Sequence, residues 1–555
     1  MSYPQIIEYN EAIQDPRSAF SDAELKRGTV EETPLGLPLA LSGGFALTYT
    51  VKCAPKKFAI RCFHREVPEA QSRYAAISAK LGSLTAPYFV SFDFQSVGIR
   101  VRGKSFPIVK MDWVEGRTLG VHLDANSGDR AAVGSLRQAF VSLADFLERN
   151  GVAHGDIQNE NVIIANGALK LIDYDGMFVS GMQVGRGTEV GHKHFQHPGR
   201  EPKHFGPQMD RFSFIVIDVS LEALQSDPSL HRRFREGGTA IIFKANDFAD
   251  PSSSDVFRTL EGMSALRESA LKLAAVCSAP ISDVPSLSDF IAGRNIPTAP
   301  PRTERASGAP RVKQAYIGAF DVLDGKDFHA VMRRVGHNIE LVGKIVSVKR
   351  GIGKRGRGRG KPYVFINFGA WNKESVKITI WSEGLSNIGV QPDDKWVGKW
   401  ISVTGLVEPP YEGQHYGRPY KNVGIAVVSG NQIIPVSEQE AKFRLGFGGK
   451  ATRKHETPGM STNQDILKGI RNENTGAQTS TSSRTRQPQS TPTRANPTTR
   501  NQSILGGIHS STPPTSRTIQ HPSRITPRSS SGLQIPPWLW VLGAIVLLVF
   551  LLRKK

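Results

Sequence analysis

Three polar side chains at fixed spacing form the strongest chemical pattern in this chain of 555 residues. Asp156 and Asn161 stand five residues apart in the stretch HGDIQNEN, and Asp173 follows twelve residues later in the stretch IDYDG. Transfer of a phosphoryl group from ATP requires metal ions on the phosphates, an oriented acceptor hydroxyl and stabilisation of charge. An Asp and an Asn on one loop can supply the hydroxyl acceptor and a metal ligand, and a second Asp can supply the other metal contact.

Local elements around these residues are predicted to position them. The run between the two motifs alternates apolar and polar residues on both sides of an Asn-Gly pair at 166–167, which is typical of a β-hairpin. Residues 134–150 have apolar side chains along one helical face, and this helix is expected to end at Gly151, just before the loop. The hairpin would then carry Asp173 back towards Asp156.

These motifs resemble the catalytic loop and the metal-binding turn of the protein-kinase-like superfamily, and in particular those of bacterial Ser/Thr protein kinase-like proteins. The resemblance extends over roughly residues 30–290. It implies that Asp156 is the catalytic base, that Asn161 and Asp173 bind Mg²⁺, and that ATP and Mg²⁺ are the cofactors. It also implies an α+β, two-lobed protein-kinase-like fold.

The same resemblance assigns the nucleotide-binding residues by their order in the chain. The sequence LSGGFALTY resembles the glycine-rich loop over the phosphates, FAIR resembles the third strand, and MDWVEG resembles the hinge that binds adenine through backbone groups. Glu69, before the next helix, is the best candidate for an acidic partner of Arg61. The residues predicted to contact or support the nucleotide are Gly43, Gly44, Phe45, Arg61, Glu69, Met111, Asp112 and Val114.

Two further segments resemble the surroundings of the catalytic loop. The sequence DRFS at 210–213 resembles the start of the large helix whose aspartate, here Asp210, ties to that loop. The sequence GHKHFQHP at 191–198 stands where a peptide-positioning segment would lie. The hinge sequence and the pair Asp210 and Ser213 favour a protein substrate over a small molecule.

Several positions depart from the family pattern. Arg61 stands where active kinases usually have Lys, and a planar guanidinium is not equivalent to an ammonium group. Gly155 replaces the arginine that commonly precedes the catalytic Asp, Gln158 replaces a phosphate-contacting Lys, and Asp175 replaces a glycine of the metal-binding turn. Three functions stay open: a protein serine/threonine kinase that also phosphorylates itself, a small-molecule phosphotransferase, and a nucleotide-binding pseudokinase scaffold. The retained base and metal ligands favour the first.

Composition divides the rest of the chain into further segments. Residues 338–435 contain five short alternating runs with a short helical stretch between the third and fourth, which resembles an OB-fold barrel. The predicted organisation is a kinase-like domain at 1–295 (N-lobe about 30–112, C-lobe about 117–295), a linker at 296–315, an OB-like β-barrel at 316–445, a disordered Ser/Thr/Pro-rich tether at 446–534 and a transmembrane helix at 535–552.

Basic residues concentrate in two places and raise the net charge of the chain to +20. Residues 349–361 contain seven Lys or Arg and no acid, so this loop could bind nucleic acid or an anionic lipid, or be solvated on a structural or protein-binding barrel. Aromatic residues of the neighbouring runs could stack on bases, although their alternating spacing places most of them in the core. Between 451 and 532 there are eleven basic residues against three acids and few aromatics, which indicates disorder.

The C-terminal end carries two more signals. The octets at 463–470 (NQDILKGI) and 501–508 (NQSILGGI) match closely, and they are either a repeated docking motif for a partner or a chance duplication. Residues 538–552 contain no charge and are followed by three cations, and the apolar run with its flanks approaches the ~20 residues that cross a bilayer. The expected location is therefore a membrane, with a single C-terminal span and a cytoplasmic kinase domain.

Overall fold

A computed structural model describes residues 3–33, 36–42, 46–66, 69–298, 315–353, 359–388 and 391–447. Some predicted features lie outside the described residues, namely Gly43, Gly44 and Phe45, most of the linker 296–315, nearly all of the tether 446–534 with both octets, and the transmembrane helix 535–552. Within the described ranges, no helix has the length and apolar character of a membrane span. The described chain is mixed α+β and contains several sheets, as predicted.

Alternating apolar residues build the sheet of the N-terminal part. Strand β4 buries Phe58, Ile60 and Cys62 in the core that also receives helix α1, so Arg61 lies on the opposite face, towards the helical part. The sheet has the order β1-β3-β4-β6-β5, and β2 also pairs with β3. Its elements are α1 (Ile6–Ile13), α2 (Pro16–Ala19), β1 (Thr29–Val30), β2 (Ala40–Ser42), β3 (Ala46–Cys53), β4 (Lys56–Phe63), α3 (Ala70–Gly82), β5 (Phe92–Val101) and β6 (Lys104–Asp112).

The helical part follows and contains the predicted catalytic motifs. The helix expected at 134–150 is observed as α5, and Gly151 after it has a φ of 62°, which favours glycine. The predicted hairpin is observed as β9 and β10, with positive φ at both Asn166 and Gly167. The elements are β7 (Arg117–Thr118), α4 (Leu119–Asn126), α5 (Arg130–Arg149), β8 (Val152–Ala153), β9 (Val162–Ala165), β10 (Ala168–Leu171), β11 (Phe178–Val179), α6 (Arg211–Ser226), α7 (Ser229–Phe234), α8 (Ala245–Ala249), α9 (Asp255–Glu261), α10 (Arg267–Ser278) and α11 (Leu287–Ile291).

The β-rich part forms one mixed sheet around its own apolar core. The strand order is β12-β13-β17-β18-β16-β15-β14, and β19 also pairs with β17. Its elements are β12 (Asp321–Asp324), α12 (Phe328–Met332), β13 (Asn338–Lys344), β14 (Ser347–Ile352), β15 (Pro362–Asn367), β16 (Ser375–Ile380), α13 (Ser382–Asn387), β17 (Trp400–His415), β18 (Arg418–Val427), β19 (Ile433–Val436) and α14 (Glu438–Arg444).

The prediction of a β-barrel at 316–445 is wrong, because the described strands form no closed barrel. The pairing path ends at β14 on one side and at β12 on the other. Strands β13 and β14 are consecutive, separated by Ile345 and Val346, and they pair with different partners, β17 and β15. The first predicted run is therefore divided at this point, and the ring of paired strands is interrupted there.

The β-rich part contacts both of the preceding parts. Val335 and Leu406 pack against the core of the N-terminal sheet, and the ring of His337 lies 5.1 Å from that of His64. On the helical side, Asn431 accepts a hydrogen bond from Arg235 and donates one of 2.7 Å to Asp124. The β-rich part is thus in contact with both the N-terminal sheet and the helical part.

Candidate functional site

The loop that carries Asp156 is fixed by one buried carboxylate. Asp210, directly before α6, accepts hydrogen bonds from the backbone N–H groups of His154 and Gly155, the latter at 2.8 Å. Gly155 has a φ of 84°, and a Cβ there would meet the backbone oxygen of Gly176 at 2.3 Å. The predicted tie between Asp210 and the loop is therefore confirmed, and glycine at 155 permits close approach of the turn that carries Gly176.

Asp156 and Asn161 are in direct contact. Nδ2 of Asn161 donates to Oδ2 of Asp156 at 2.8 Å and to its backbone oxygen at 3.0 Å. Oδ1 of Asp156 accepts the N–H of His192 at 2.7 Å. Burial raises the pKa of Asp156 to about 7, and the charge of Asp173 raises it as well. The hydrogen bonds from His192 and Asn161 act in the opposite direction and lower this pKa. The carboxyl group is thus oriented on both sides.

The predicted peptide-positioning segment 191–198 lies against this loop. Gly191 has a φ of 78°, and a Cβ on it would meet the backbone oxygen of Gly155 at 2.6 Å and Oδ1 of Asp156 at 2.9 Å. Gln196 donates to the backbone oxygen of Gly155 at 3.4 Å. The close approach at Gly191 is what allows the next residue, His192, to donate its N–H to Asp156.

Arg61 joins the sheet to the turn that carries Asp173 and Asp175. Its Nη2 lies 3.0 Å from Oδ1 of Asp173 and also pairs with Oδ2 of Asp175. Its side chain is 8% exposed, and although burial opposes the charged form, the two carboxylates raise the pKa of the guanidinium. Asp173 itself has a φ of 67°, a left-handed conformation that turns its carboxylate back towards the sheet.

Helix α3 contributes two more contacts to the same turn. The hydroxyl of Tyr74 donates to Oδ1 of Asp175, and Nη2 of Arg73 donates to the backbone oxygens of Asp175 at 2.9 Å and of Met177 at 2.8 Å. Burial raises the pKa of Asp175, while the charge of Arg61 opposes that shift. Asp175 therefore links strand β4, helix α3 and the turn to which it belongs.

The structure does not bring Glu69 to Arg61, which corrects the predicted pairing. Glu69 is exposed before the first turn of α3, and the ion pairs of Arg61 among the described residues go to Asp173 and Asp175. The physical reason is the position of Glu69 outside the helix, whereas Tyr74 on the buried face of α3 reaches the site. The extra carboxylate in IDYDG, opposite an arginine on the strand, is the sequence signal that could have identified Asp175.

The predicted hinge leaves the sheet at the end of β6. Met111 is buried against the core of the helical part, and Asp112 is exposed with its N–H donated to the backbone oxygen of Ser91 at 2.9 Å. Val114 is partly buried, and its backbone N–H and C=O have no hydrogen-bond partner among the described residues. The backbone N–H and C=O groups of Val114 could therefore form hydrogen bonds with the edge of a planar ring.

Glu189 is a further acid of the site that the sequence did not reveal. Its Oε1 lies close enough to Gly176 that a Cβ on that glycine would meet it at 2.8 Å. Burial raises the pKa of Glu189 well above its ordinary value, and the charges of Asp175, Asp173 and Asp156 add to this shift. No local motif marks this glutamate, because its proximity depends on the path of the chain between the turn and Gly191.

Both predicted metal ligands, Asn161 and Asp173, have a side-chain oxygen available for a metal. Oδ1 of Asn161 and Oδ2 of Asp173 have no hydrogen-bond partner in the described part of the chain. No group of three or more His, Cys, Asp or Glu among the described residues has the arrangement of a metal centre. Mg²⁺ prefers oxygen ligands and is commonly held by one or two protein groups together with phosphates and water. The donors therefore fit a metal that arrives with a nucleotide.

Comparison with known proteins gives no relative from which a role could be transferred. No protein-family model matches the chain, and a search of the curated proteins finds no match. We therefore infer a function from the geometry of Asp156, Asn161, Asp173 and Arg61.

Proposed function

We propose that the protein is a membrane-anchored serine/threonine kinase that transfers the γ-phosphoryl group of ATP to protein hydroxyls, including its own. The observation that carries this proposal is the joint placement of Asp156, Asn161 and Asp173 on a loop and a turn next to Arg61. The sheet-and-helix arrangement around them supports a two-lobed protein-kinase-like fold. In this proposal the segment 535–552 is the anchor, and the chain before it is cytoplasmic.

Each residue has a defined task in the proposed reaction. Asp156 orients the acceptor hydroxyl and accepts its proton while the hydroxyl oxygen forms a bond to the γ-phosphorus and the bond to the β-phosphate oxygen breaks. Asn161 and Asp173 would hold Mg²⁺, which would neutralise charge on the phosphates. The backbone of Val114 receives the adenine edge, and Arg61 fixes Asp173.

The β-rich part is proposed to be OB-like in its connectivity. The run from β13 into β14 pairs with β17 on one side and with β15 on the other, and β16 pairs in parallel with β18. Helix α13 lies between β16 and β17, where the sequence predicted it. This likeness concerns the fold alone and carries no function by itself.

Transfer of labelled phosphate tests the proposal. The full-length chain in detergent is incubated with γ-labelled ATP and Mg²⁺, beside Asp156→Asn and the matched variant Asp145→Asn, a partly exposed aspartate of α5. We expect protein-bound label with the wild type and Asp145→Asn, and a loss of about a thousandfold with Asp156→Asn. Label on protein that survives Asp156→Asn contradicts the proposal, and label found only on small molecules favours a small-molecule phosphotransferase.

A nucleotide-binding pseudokinase scaffold is the second candidate, and one observation favours it. Nη2 of Arg61 is already shared by Asp173 and Asp175, so it is engaged before any phosphate arrives. If the wild type binds a fluorescent ATP analogue but transfers no label, this second function replaces the first.

A further inference from the structure

A polar pocket lies where the helical part meets the β-rich part. It encloses about 350 Å³, part of which is open to solvent, and Asp156, Asn161 and Asp173 do not line it. Both parts contribute polar side chains to its wall. We call it the junction pocket and define it by six of its polar residues, namely His194, Thr239, Lys244, Glu340, Ser402 and Arg444.

His194 contributes an unpaired donor to the junction pocket. Its side chain is buried, with the residue 2% exposed, and its Nδ1 accepts the backbone N–H of Ala245 at 3.2 Å. Because Nδ1 acts as an acceptor, the proton of the neutral ring is on Nε2. Nε2 has no hydrogen-bond partner among the described residues. A buried donor without a partner costs free energy, and a ligand with an acceptor atom would recover it.

Two positively charged side chains stand near this donor. Burial lowers the pKa of His194 well below its ordinary value, and the charges of Lys244 and Arg444 are among those that lower it further, so the ring stays neutral. The side chain of Arg444 is 4% exposed, and burial lowers its pKa to about 10. The junction pocket therefore combines a neutral N–H donor with two cations, one of them deeply buried.

Glu340 is the acid among the lining residues, and its oxygens are already engaged. Its Oε1 accepts Nη1 of Arg444 and Oγ of Ser402, both at 2.8 Å, and its Oε2 accepts the hydroxyl of Tyr316 at 3.0 Å. Nε of Arg444 donates to Glu440 at 2.8 Å, outside the pocket wall. A carboxylate has about four acceptor positions, so three of those of Glu340 are filled. The pocket therefore offers a ligand donors and positive charge rather than acceptors.

We propose that the junction pocket binds a phosphate group, free or at the end of a small molecule, through His194, Lys244 and Arg444. A phosphate supplies several oxygen acceptors together with negative charge, and its hydrogen bonds to Arg and Lys are among the strong ones. A divalent metal does not fit, because Nε2 of His194 carries the proton and two cations stand nearby. A neutral ligand would gain nothing from those cations. This site is separate from the proposed phosphoryl transfer and does not depend on it.

Calorimetric titration of the full-length chain in detergent with inorganic phosphate tests the proposal, at an ionic strength held constant with NaCl. Lys244→Gln removes the charge of a partly exposed side chain. His194→Asn keeps an acceptor near the position of Nδ1 for the N–H of Ala245 and removes the Nε2–H donor. The matched controls are Lys395→Gln and His329→Asn, which change exposed residues of the β-rich part outside the pocket wall.

We expect Lys244→Gln and His194→Asn each to weaken phosphate binding by about tenfold, the effect of losing one strong hydrogen bond, and both controls to bind as the wild type does. Titration with O-phosphoserine separates the two sources of the group. Tighter binding than that of inorganic phosphate indicates a phosphate monoester, and weaker binding indicates the free ion. The proposal is wrong if the wild type binds neither compound, or if both pocket variants bind like the wild type.

Hydrogen exchange of the wild type gives a second test that does not depend on the variants. Bound phosphate should slow exchange in residues 237–245 and 431–444, which contribute to the pocket wall from its two sides. Protection found at residues 153–176 in place of these segments would locate the phosphate at the loop of Asp156 and would contradict the proposal.

Discussion

On the helical side of the candidate site, a single carboxylate, Asp210, holds the loop that carries Asp156 through two backbone N–H groups. On the sheet side, the turn that carries Asp173 is held by charged side chains, with Arg61 between two carboxylates and Tyr74 on one of them. The first arrangement fixes the backbone, so it tolerates variation in the side chains around it. The second depends on charge balance in a buried place, so the loss of one member leaves another without compensation.

This difference also concerns control of the proposed activity. The turn is attached to helix α3 by Arg73 and Tyr74 and to strand β4 by Arg61. Because the partner of Arg61 is on the turn and not on the helix, the ion pair can persist if the helix moves. The ion pairs of Arg61 therefore do not depend on the position of helix α3.

The largest effect is expected from removing the charge on the sheet side. Arg61→Met leaves Asp173 and Asp175 close together and without their cation, and loss of one member of a buried ion pair costs about 4 kcal/mol. Hydrogen exchange of peptides from β4 and the turn measures this loss locally. The matched variant Arg232→Met changes an exposed arginine of α7 and should alter exchange by less than about 0.5 kcal/mol. Equal protection in the two variants would show that Arg61 is not needed for charge balance.

A somewhat smaller loss is expected from the helical side. Asp210→Ala leaves two buried backbone N–H groups without an acceptor, at a cost of about 3 kcal/mol. The change should appear as faster exchange at residues 152–162 and at the start of α6, with the sheet side little affected. Asp145→Ala on α5 is the control, with unchanged exchange. If Asp210→Ala speeds hydrogen exchange in β4 as much as in the loop, the two sides form one cooperative unit. That result would contradict the prediction that they are held independently.

The predictability of the two sides from sequence differs for the same physical reason. Asp156 and Asn161 stand five residues apart on one loop, so their spacing identifies them and the observed hydrogen bond agrees with it. Asp210 lies 55 positions from the N–H group of Gly155 that it holds, and only the resemblance identifies it. Asp175 and Tyr74 contact each other across 101 positions, and no local pattern encodes that pairing. The prediction that Glu69 pairs with Arg61 is wrong. The sequence locates the start of helix α3, but it does not show which side chain of the helix reaches the site.

The same distinction applies to the β-rich part. Alternation identifies its strands and the helix between the third and fourth runs, since both signals are local. Alternation alone does not say which face of a strand is the core when both faces carry large residues. Tyr363 and Phe365 illustrate this, because they alternate with Val364 and Ile366 and yet lie outside the main core.

A moderate effect is expected when one hydrogen bond of the sheet side is removed without changing charge. Tyr74→Phe keeps the buried ring and deletes the hydroxyl that donates to Asp175, which should cost about 1.5 kcal/mol. The expected result is faster exchange of the turn and a lower rate of phosphate transfer. Tyr88→Phe, which removes a hydroxyl with no hydrogen-bond partner among the described residues, is the matched control. Unchanged hydrogen exchange in Tyr74→Phe would show that the hydroxyl of Tyr74 does not stabilise the turn.

The smallest effect is expected from Arg61→Lys, and it separates charge from shape. Both ion pairs of Arg61 are made by the same nitrogen, Nη2, while its buried Nε has no hydrogen-bond partner among the described residues. One ammonium group has enough donors for both carboxylates, and the substitution removes a buried N–H that is not satisfied. The cost should therefore stay below about 1 kcal/mol, far from that of Arg61→Met, and phosphate transfer should be retained. If Arg61→Lys is as damaging as Arg61→Met in the exchange measurement, the sheet side needs the guanidinium itself, and charge balance is not what holds the turn.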